Sequence, residues 1–413
     1  MINRRQFLGT LAGAAAMLGI PGATLAQANT ERRFIFVFAA GGWDPLCVFA
    51  PLFGSRAVDM ETEAEPMTIG GFNLVDHPGR PSVRRFFETH GNRTVVFNGI
   101  STRSIAHDVC TFVAMTGSSS GSESDWPSII GHDALGRYNM PSLVLDGPTL
   151  PGNLEVAVAR GGNGLLGPLI NGDIVYYGED SQGGPEGRAG TLIDRFVARR
   201  TERIQNELKT AHARGLAKDL DTSLRQGVHL KRDQGALPFE RAYDFRGRLQ
   251  MAVAALSQGL SRTVTLTDDG FWDTHEDNSP QTELFENLFG GLDELMLALA
   301  TTNGPEGNPL SQDTVVVVLS EMGRTPKFNF TDGRDHWPYT SAMIIGQDIA
   351  GGREIGAYNS EFSGIGVDAD SGELMPEALG VSAEDFGATV LTLADVDPGP
   401  ILPNAKPIGG ILQ

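Results

Sequence analysis

Side chains that could bind a metal ion cluster directly after a short β-branched run. The run at 263–267 reads Thr-Val-Thr-Leu-Thr, which is typical of a buried or half-buried strand. Carboxylates and imidazoles are the ligands of hard and borderline divalent ions. The segment indicates either a metal site at a strand end, with Asp273 and His275 as its ligands, or a solvated acidic loop. The polar side chains that follow the run are Asp268, Asp269, Asp273, His275, Glu276 and Asp277.

Two further acids follow apolar runs of the strand type. Asp44 comes after the run at 33–40 and a pair of glycines, and Glu321 comes just after the run at 314–319. In open α/β sheets, ligands bind outside the carboxyl ends of the strands, so these acids are expected to converge with Asp273. Asp44 also fits a simpler role in forming a turn or capping a helix.

Two more polar segments adjoin predicted strands. Residues 99–108 follow a strand at 94–98 and combine hydroxyls, an arginine and His107, which is typical of a nucleophile or bound anion at a helix N-terminus. Ser104 also fits a helix N-cap and His107 a structural side chain. Asp335 and His336 lie just before a predicted strand at 341–345.

The order of elements predicts an α/β fold with a mainly parallel, doubly wound sheet and helices on both faces. Charges at helical spacing over about 190–235 indicate an inserted helical hairpin with a solvated face, and His212 and His229 are expected on that surface. We expect residues 29–413 to form a single domain. The predicted helices are 82–88, 109–115, 239–260, 283–300 and 383–394, and the predicted strands include 33–40, 94–98, 142–145, 263–267, 314–319 and 341–345.

The first 28 residues have the features of a twin-arginine export signal. Arg4 and Arg5 precede an apolar run at 7–20 and a small-x-small cleavage site at 26–28. The apolar run is shorter than the roughly 20 residues that span a bilayer, so cleavage is favoured over a retained anchor. The remainder holds no apolar run of that length. It is therefore expected to be periplasmic or secreted, without a membrane span.

The charge balance excludes some partners. The net charge is −19, which argues against nucleic acid and anionic membranes as partners. The chain has two cysteines, too few for a disulfide framework. Cys47 and Cys110 either form one disulfide or lie buried as small apolar side chains.

The motifs together resemble a family of exported bacterial proteins known as domain of unknown function 1501, related to the alkaline phosphatase and sulfatase superfamily. The resemblance runs over nearly the whole chain after the leader. Its motifs are Gly41-Gly42-Trp43-Asp44, Arg103-Ser104 with His107, Trp272-Asp273-Thr274-His275, Ser320-Glu321-Met322-Gly323-Arg324-Thr325 and Asp335-His336.

The superfamily resemblance implies a site for two metal ions and a hydroxyl or modified cysteine nucleophile. By position, Asp44 resembles the ligand after the first strand, Asp273 with His275 an Asp/His pair, and His336 the final histidine. Glu321 stands where the superfamily has a second Asp/His pair, so one metal site is expected more readily than two. Cys110 lacks the sulfatase sequence context, which leaves Ser104 or Thr102 as the nucleophile.

The resulting hypothesis is an exported, metal-dependent hydrolase of phosphate or sulfate esters that acts on a small-molecule or glycan ester. A divalent ion (Zn, Mg, Mn or Ca) would polarise the ester. Ser104 would be the nucleophile and His107 an acid/base or ligand, while Arg103 or Arg324 would neutralise developing charge. The alternative is a non-catalytic binding protein on a degenerate scaffold of the same type. The expected metal ligands are Asp44, Asp273, His275, Glu321 and His336.

Overall fold

The computed structural model describes residues 31–161, 187–232, 237 and 243–411, and the predicted leader lies outside them. The strands are β1 (Arg33–Phe38), β2 (Glu65–Ile69), β3 (Phe72–Asp76), β4 (Thr94–Ser101), β5 (Ser142–Val144), β6 (Val158–Arg160), β7 (Thr263–Thr267), β8 (Thr314–Leu319), β9 (Gly323–Arg324), β10 (His336–Trp337), β11 (Tyr339–Ile345), β12 (Arg353–Ile355), β13 (Ala357–Tyr358), β14 (Gly364–Val367), β15 (Leu374–Leu379) and β16 (Val381–Ser382). The helices are α1 (Pro81–His90), α2 (His107–Thr116), α3 (Trp126–Asp133), α4 (Gly187–Glu207), α5 (Ala211–Arg232), α6 (Phe245–Ser257), α7 (Pro280–Thr301) and α8 (Ala383–Leu393).

Nine strands form the central sheet, in the order β12-β4-β11-β8-β1-β7-β5-β6 with β16 beside β4. All neighbouring strands run parallel except at β11, which is antiparallel to both β4 and β8. The predicted α/β class with a mainly parallel sheet is thereby confirmed.

Both faces of the sheet are covered by helices, which explains why its central strands are continuous apolar runs. Side chains alternate across a strand. In β1, Ile35 and Val37 therefore pack under α1, α6 and α7, whereas Phe34 and Phe36 pack under α2, α3 and α8. The prediction of helices on both faces is confirmed.

The direction of β11 decides which residues can meet. Strands β1, β4, β7 and β8 run the same way, so their carboxyl ends share one edge of the sheet. Because β11 is antiparallel to its neighbours, its beginning lies at that same edge, together with the residues just before it. In a wholly parallel sheet those residues would have lain at the opposite edge.

Several predicted boundaries shift by a few residues. Helix α2 begins at His107 rather than at residue 109. Helix α6 begins at Phe245, directly after its N-cap Asp244, rather than at residue 239, and residues 239–242 lie outside the described residues. The predicted hairpin corresponds to α4 and α5. Cys47 and Cys110 are both free and buried, which excludes the disulfide alternative. Among the described residues, no helix is long and apolar enough to cross a membrane.

Candidate metal centre

Three side chains from separate elements meet beyond the shared edge of the sheet. His107 begins α2, Asp273 lies in the loop after β7, and His336 begins β10. One potential ligand atom from each of them lies within 4.8 Å of the other two. His275 joins this group, because its Nε2 lies 2.8 Å from His336 Nε2 and 3.1 Å from Asp273 Oδ1. The structure thus brings together three of the five predicted ligands, with His107 in addition.

Each of the three imidazoles is held through its Nδ1 atom by an oxygen. His275 Nδ1 lies 2.8 Å from Asp335 Oδ1, and His336 Nδ1 lies 2.7 Å from the carbonyl oxygen of Ile105. His107 Nδ1 lies 2.8 Å from Oε1 of Glu321. Carboxylates and carbonyls accept hydrogen bonds, which assigns the proton of each neutral ring to Nδ1.

The Nε2 atoms of the three rings are consequently left with their lone pairs directed inward. A metal-ligating histidine characteristically donates its other N–H to a carboxylate or a carbonyl. In addition, His107 Nε2 is buried and has no hydrogen-bond partner among the described residues, although Asp273 Oδ2 lies 3.4 Å away. A buried ring nitrogen without a hydrogen-bond partner, beside a carboxylate, is a suitable donor for a cation. Nitrogen and oxygen donors of this kind suit zinc and similar ions.

Asp273 is held in its ionised form by a buried arginine. The Arg324 guanidinium is fully buried, and its Nη2 donates to Asp273 Oδ1 at 2.6 Å while its Nε donates to the Gly42 carbonyl at 2.8 Å. Burial acts to raise the pKa of Asp273, but Arg324, His336 and His107 outweigh it and lower the pKa to about 2. The carboxylate is therefore ionised near neutral pH.

Glu321 lies behind His107 rather than beside Asp273. Its Oε1 accepts the Gly41 N–H at 2.8 Å as well as the His107 bond, and its Oε2 accepts from Ser320 Oγ at 3.2 Å. The hydrogen bond to Glu321 raises the pKa of His107, with burial opposing. The geometry therefore favours Glu321 as the residue that orients His107, a role different from the predicted direct ligand.

Asp44 lies in a separate buried network. Its Oδ2 lies 3.0 Å from Arg334 Nε in an ion pair and accepts a hydrogen bond from Asn278 Nδ2 at 2.9 Å, and its Oδ1 accepts the Leu46 N–H at 3.0 Å. Asp44 caps the short 3-10 helix Pro45–Cys47, as the simpler alternative anticipated. Burial raises the pKa of Asp44, and the charge of Arg334 opposes this. Both oxygens are engaged, so we assign Asp44 to positioning rather than to metal binding.

Arg334 connects this network to the metal centre through its backbone. Its N–H donates to the Thr274 carbonyl at 3.0 Å, and its carbonyl accepts from Arg324 Nη1 at 3.1 Å. Arg334 precedes Asp335 and His336, while Thr274 lies between Asp273 and His275. The pair of Asp44 and Arg334 therefore fixes the two loops that carry most of the cluster.

The residues proposed as nucleophile and anion clamp lie at the start of α2. Ser104 Oγ accepts the Ala106 N–H at 3.1 Å, and Thr102 Oγ1 donates to the Pro338 carbonyl at 3.1 Å. Arg103 donates to Glu384 Oε1 at 2.7 Å and to the Gly117 carbonyl at 3.2 Å. Arg103 therefore faces Glu384, whereas Arg324, the other predicted clamp, contacts Asp273 directly.

Sequence reasoning missed several residues of this site. Arg334 and Asn278 hold Asp44, and Gln281 accepts the Asp44 N–H at 3.0 Å and donates to the Trp272 carbonyl at 2.9 Å. The sequence places Asp335 beside His336 but does not reveal its contact with His275. The available signal was the position of Arg334 and Asp335 directly before a predicted ligand.

The comparisons with known proteins identify the family. The family described as Protein of unknown function (DUF1501) matches residues 31–406, so the chain belongs to this family. No curated protein matches the sequence.

Among solved structures, the chain resembles three that are described here, all at low identity. One is Ps i-CgsB in complex with k-i-k-neocarrahexaose, at 10% identity and a TM-score of 0.40, covering 89% of this chain and 73% of that chain. Another is the PsFucS1 sulfatase from Pseudoalteromonas sp., at 10% identity and a TM-score of 0.39, covering 94% of this chain and 70% of that chain. The third is a protein in the alkaline phosphatase superfamily from Vibrio parahaemolyticus, at 9% identity and a TM-score of 0.33, covering 95% of this chain and 75% of that chain. The fold class is assigned from the strand order and strand directions of the sheet, and not from these similarities.

Proposed function

We propose that this protein is a metal-dependent hydrolase of phosphate or sulfate esters. The observation that carries the proposal is the convergence of the Nε2 atoms of His107, His275 and His336 on Asp273, with each Nδ1 bound to an oxygen. These four residues would hold one divalent ion. The ion would polarise the ester and lower the pKa of a bound hydroxyl or water.

The surrounding residues hold the four side chains in the protonation states that metal binding requires. Asp335 and Glu321 hold the Nδ1 protons of His275 and His107, which leaves both Nε2 lone pairs available. Arg324 keeps Asp273 ionised through a buried ion pair.

Ser104 is the proposed nucleophile. It lies just before α2, a ten-residue helix that begins with His107. Backbone N–H groups at a helix N-terminus favour an anionic ligand, so an ester oxygen there would be stabilised. Both ring nitrogens of His107 are used in this arrangement, Nδ1 by Glu321 and Nε2 by the ion, so the proton of the reacting hydroxyl would pass to water.

We further propose that the protein is exported by the twin-arginine route. The arginine pair, the apolar run and the small-residue site at 26–28 support this. That route carries folded proteins, so the metal would be acquired before export. Fusing residues 1–28 to a reporter that requires this route would test the proposal. Export should require both Arg4 and Arg5.

A panel of phosphate and sulfate esters tests the activity. We expect hydrolysis that is lost with a chelator and restored by a divalent ion. His275→Ala should lower kcat/KM by at least ~100-fold. His132→Ala, which alters an exposed histidine of α3, is the matched control and should leave the rate unchanged.

A binding protein without turnover is the second candidate. It is favoured by the engagement of Ser104 Oγ with the Ala106 N–H and of Arg103 with Glu384. Metal-dependent binding of the same esters without hydrolysis would support it. Loss of a measured hydrolysis in Ser104→Ala, with the fold intact, would exclude it.

A further inference from the structure

A cavity of about 640 Å³ opens beside the metal centre. Its volume lies in the range of small-molecule sites, ~300–1,000 Å³. Its walls come from the loop before α2, from the start of β11 and from the turn between β15 and α8. Its lining includes Arg103, Ile105, Tyr339, Leu379, Gly380 and Glu384.

The cavity and the metal centre share a wall. The Ile105 carbonyl accepts the bond from His336 Nδ1 at 2.7 Å, while the Ile105 side chain is 58% exposed at the cavity. Ser104, the proposed nucleophile, lines the same cavity. A ligand there would contact Ser104 and the Ile105 side chain, so the cavity is placed to receive the part of an ester that does not react.

The polar part of the cavity is an ion pair with no net charge. Arg103 Nη1 donates to Glu384 Oε1 at 2.7 Å, and the two side chains are 51% and 28% exposed. Arg103 has a φ of +57°, a left-handed conformation that is uncommon for a residue with a side chain. Strained residues of this kind concentrate at ligand sites. The pair offers a planar donor and a planar acceptor side by side.

The remaining wall is apolar and rigid. Leu379 is 79% exposed and offers an apolar surface at the mouth of the cavity. Gly380 has a φ of +78°, and a Cβ there would come within 3.0 Å of the Tyr339 ring and 2.6 Å of the Gly99 carbonyl oxygen. Only glycine lets the backbone pack this closely against Tyr339, so the shape of the wall is fixed.

Building on the proposed hydrolase activity, we propose that this cavity binds the sugar ring of a carbohydrate ester and presents its ester group to the metal centre. A sugar combines hydroxyls, which suit the Arg103–Glu384 pair, with C–H faces, which suit Tyr339 and Leu379. A lipid chain would bury that ion pair against hydrocarbon at a cost.

The test uses the folded protein and three variants. Titration calorimetry with neutral maltohexaose, cellohexaose and agarohexaose should detect binding of at least one sugar. Glu384→Gln and Arg103→Gln should weaken it at least tenfold. Arg85→Gln is the matched control, because Arg85 forms an ion pair of 2.7 Å with Asp293 at similar exposure, 53% and 21%, and should not change it. Circular dichroism establishes that each variant is folded.

A second measurement compares sugar esters with sugar-free esters. The ratio of kcat/KM for glucose 6-sulfate and 6-phosphate over the 4-nitrophenyl esters should fall at least tenfold in Glu384→Gln. Sugar binding without hydrolysis of any ester would uphold the cavity and overturn the hydrolase proposal. The cavity proposal would be overturned if the protein hydrolyses the 4-nitrophenyl esters but binds none of the sugars, and if the kcat/KM ratio is unchanged in Glu384→Gln. Tighter binding of AMP or of phosphatidylglycerol vesicles than of sugars would also overturn it.

Discussion

The Nε2 atoms of His275 and His336 lie 2.8 Å apart, although the oxygens bound to both rings assign their protons to Nδ1. Two lone pairs at this separation repel unless a cation lies between them. Asp273 Oδ1, at 3.1 Å and 3.2 Å from the two nitrogens, adds negative charge. A proton on one ring or a metal ion shared by both would relieve the repulsion, and only the metal would also engage the unpaired Nε2 of His107.

The orientation of His275 should depend on Asp335. Asp335→Asn removes the carboxylate that accepts the His275 Nδ1 proton, so metal affinity should fall by about 10- to 100-fold. Competition with a chelating dye measures this affinity. Asp332→Asn is the matched control, because Asp332 is exposed and has a φ of +62°, which asparagine adopts readily. Equal affinities of the two variants would contradict the role of Asp335.

Removal of one partner from the buried pair of Asp44 and Arg334 should be strongly destabilising. Asp44→Asn leaves the Arg334 guanidinium buried without a counter-charge, which costs about 3–5 kcal/mol of unfolding free energy. Asp76→Asn breaks the exposed pair with Arg84 and should cost about 1 kcal/mol or less. Urea denaturation of both variants gives the comparison. Similar losses would show that the Asp44 pair is no more important than a surface pair.

The two ligand loops approach each other too closely for a side chain at Gly333. A Cβ there would lie 1.9 Å from the His275 carbonyl oxygen. Gly333→Ala should therefore separate the loops, lower the unfolding free energy by about 1–3 kcal/mol and weaken metal binding. Gly54→Ala, where a Cβ meets open space, should change stability by about 0.5 kcal/mol or less. Unchanged metal binding in Gly333→Ala would show that the loops are not fixed here.

Asp268 should give the protein a measurable pH dependence. Burial raises the pKa of Asp268 to about 7, although the bonds from Trp272 and Gly270 oppose this. The folded chain keeps a proton that the unfolded chain releases above about pH 4, so this group makes the unfolding free energy fall as pH rises from 4 to 7. Asp268→Asn should reduce that fall by up to ~1.4 kcal/mol per pH unit.

Urea denaturation at pH 5 and pH 7 measures this dependence on pH. Glu276→Gln, a change of the same charge at an exposed position, is the control and should keep the wild-type dependence. An Asp268→Asn protein with the wild-type dependence would show that Asp268 is ionised throughout the range.

The sequence predicts the elements of the sheet well and the convergence of part of the site. Continuous apolar runs such as 314–319 identify strands that are buried on both faces. Because ligands bind at the edge where parallel strands end, Asp273 and His275, which follow such a strand, are expected at that edge. His336 reaches the same edge because β11 is antiparallel, and strand direction leaves no mark on the local pattern.

The pairing of individual side chains could not be predicted. Asp44 has the same local pattern whether it binds a metal or Arg334, because both roles need a carboxylate after a strand. What decides between them is Arg334, a residue distant in sequence that is fully buried against Asp44. Likewise, Arg103 follows a strand as a phosphate-binding residue would, but Glu384, from the start of α8, engages it.

The most direct test is the metal content of the purified protein, measured by mass spectrometry alongside His275→Ala and the control His132→Ala. The proposed metal centre predicts at least one equivalent of a divalent ion in the wild type and in His132→Ala. In His275→Ala the ion should be lost or bound at least ~100-fold more weakly. A wild-type protein that carries no divalent ion and binds none on titration with Zn²⁺, Mn²⁺, Mg²⁺ or Ca²⁺ would contradict it.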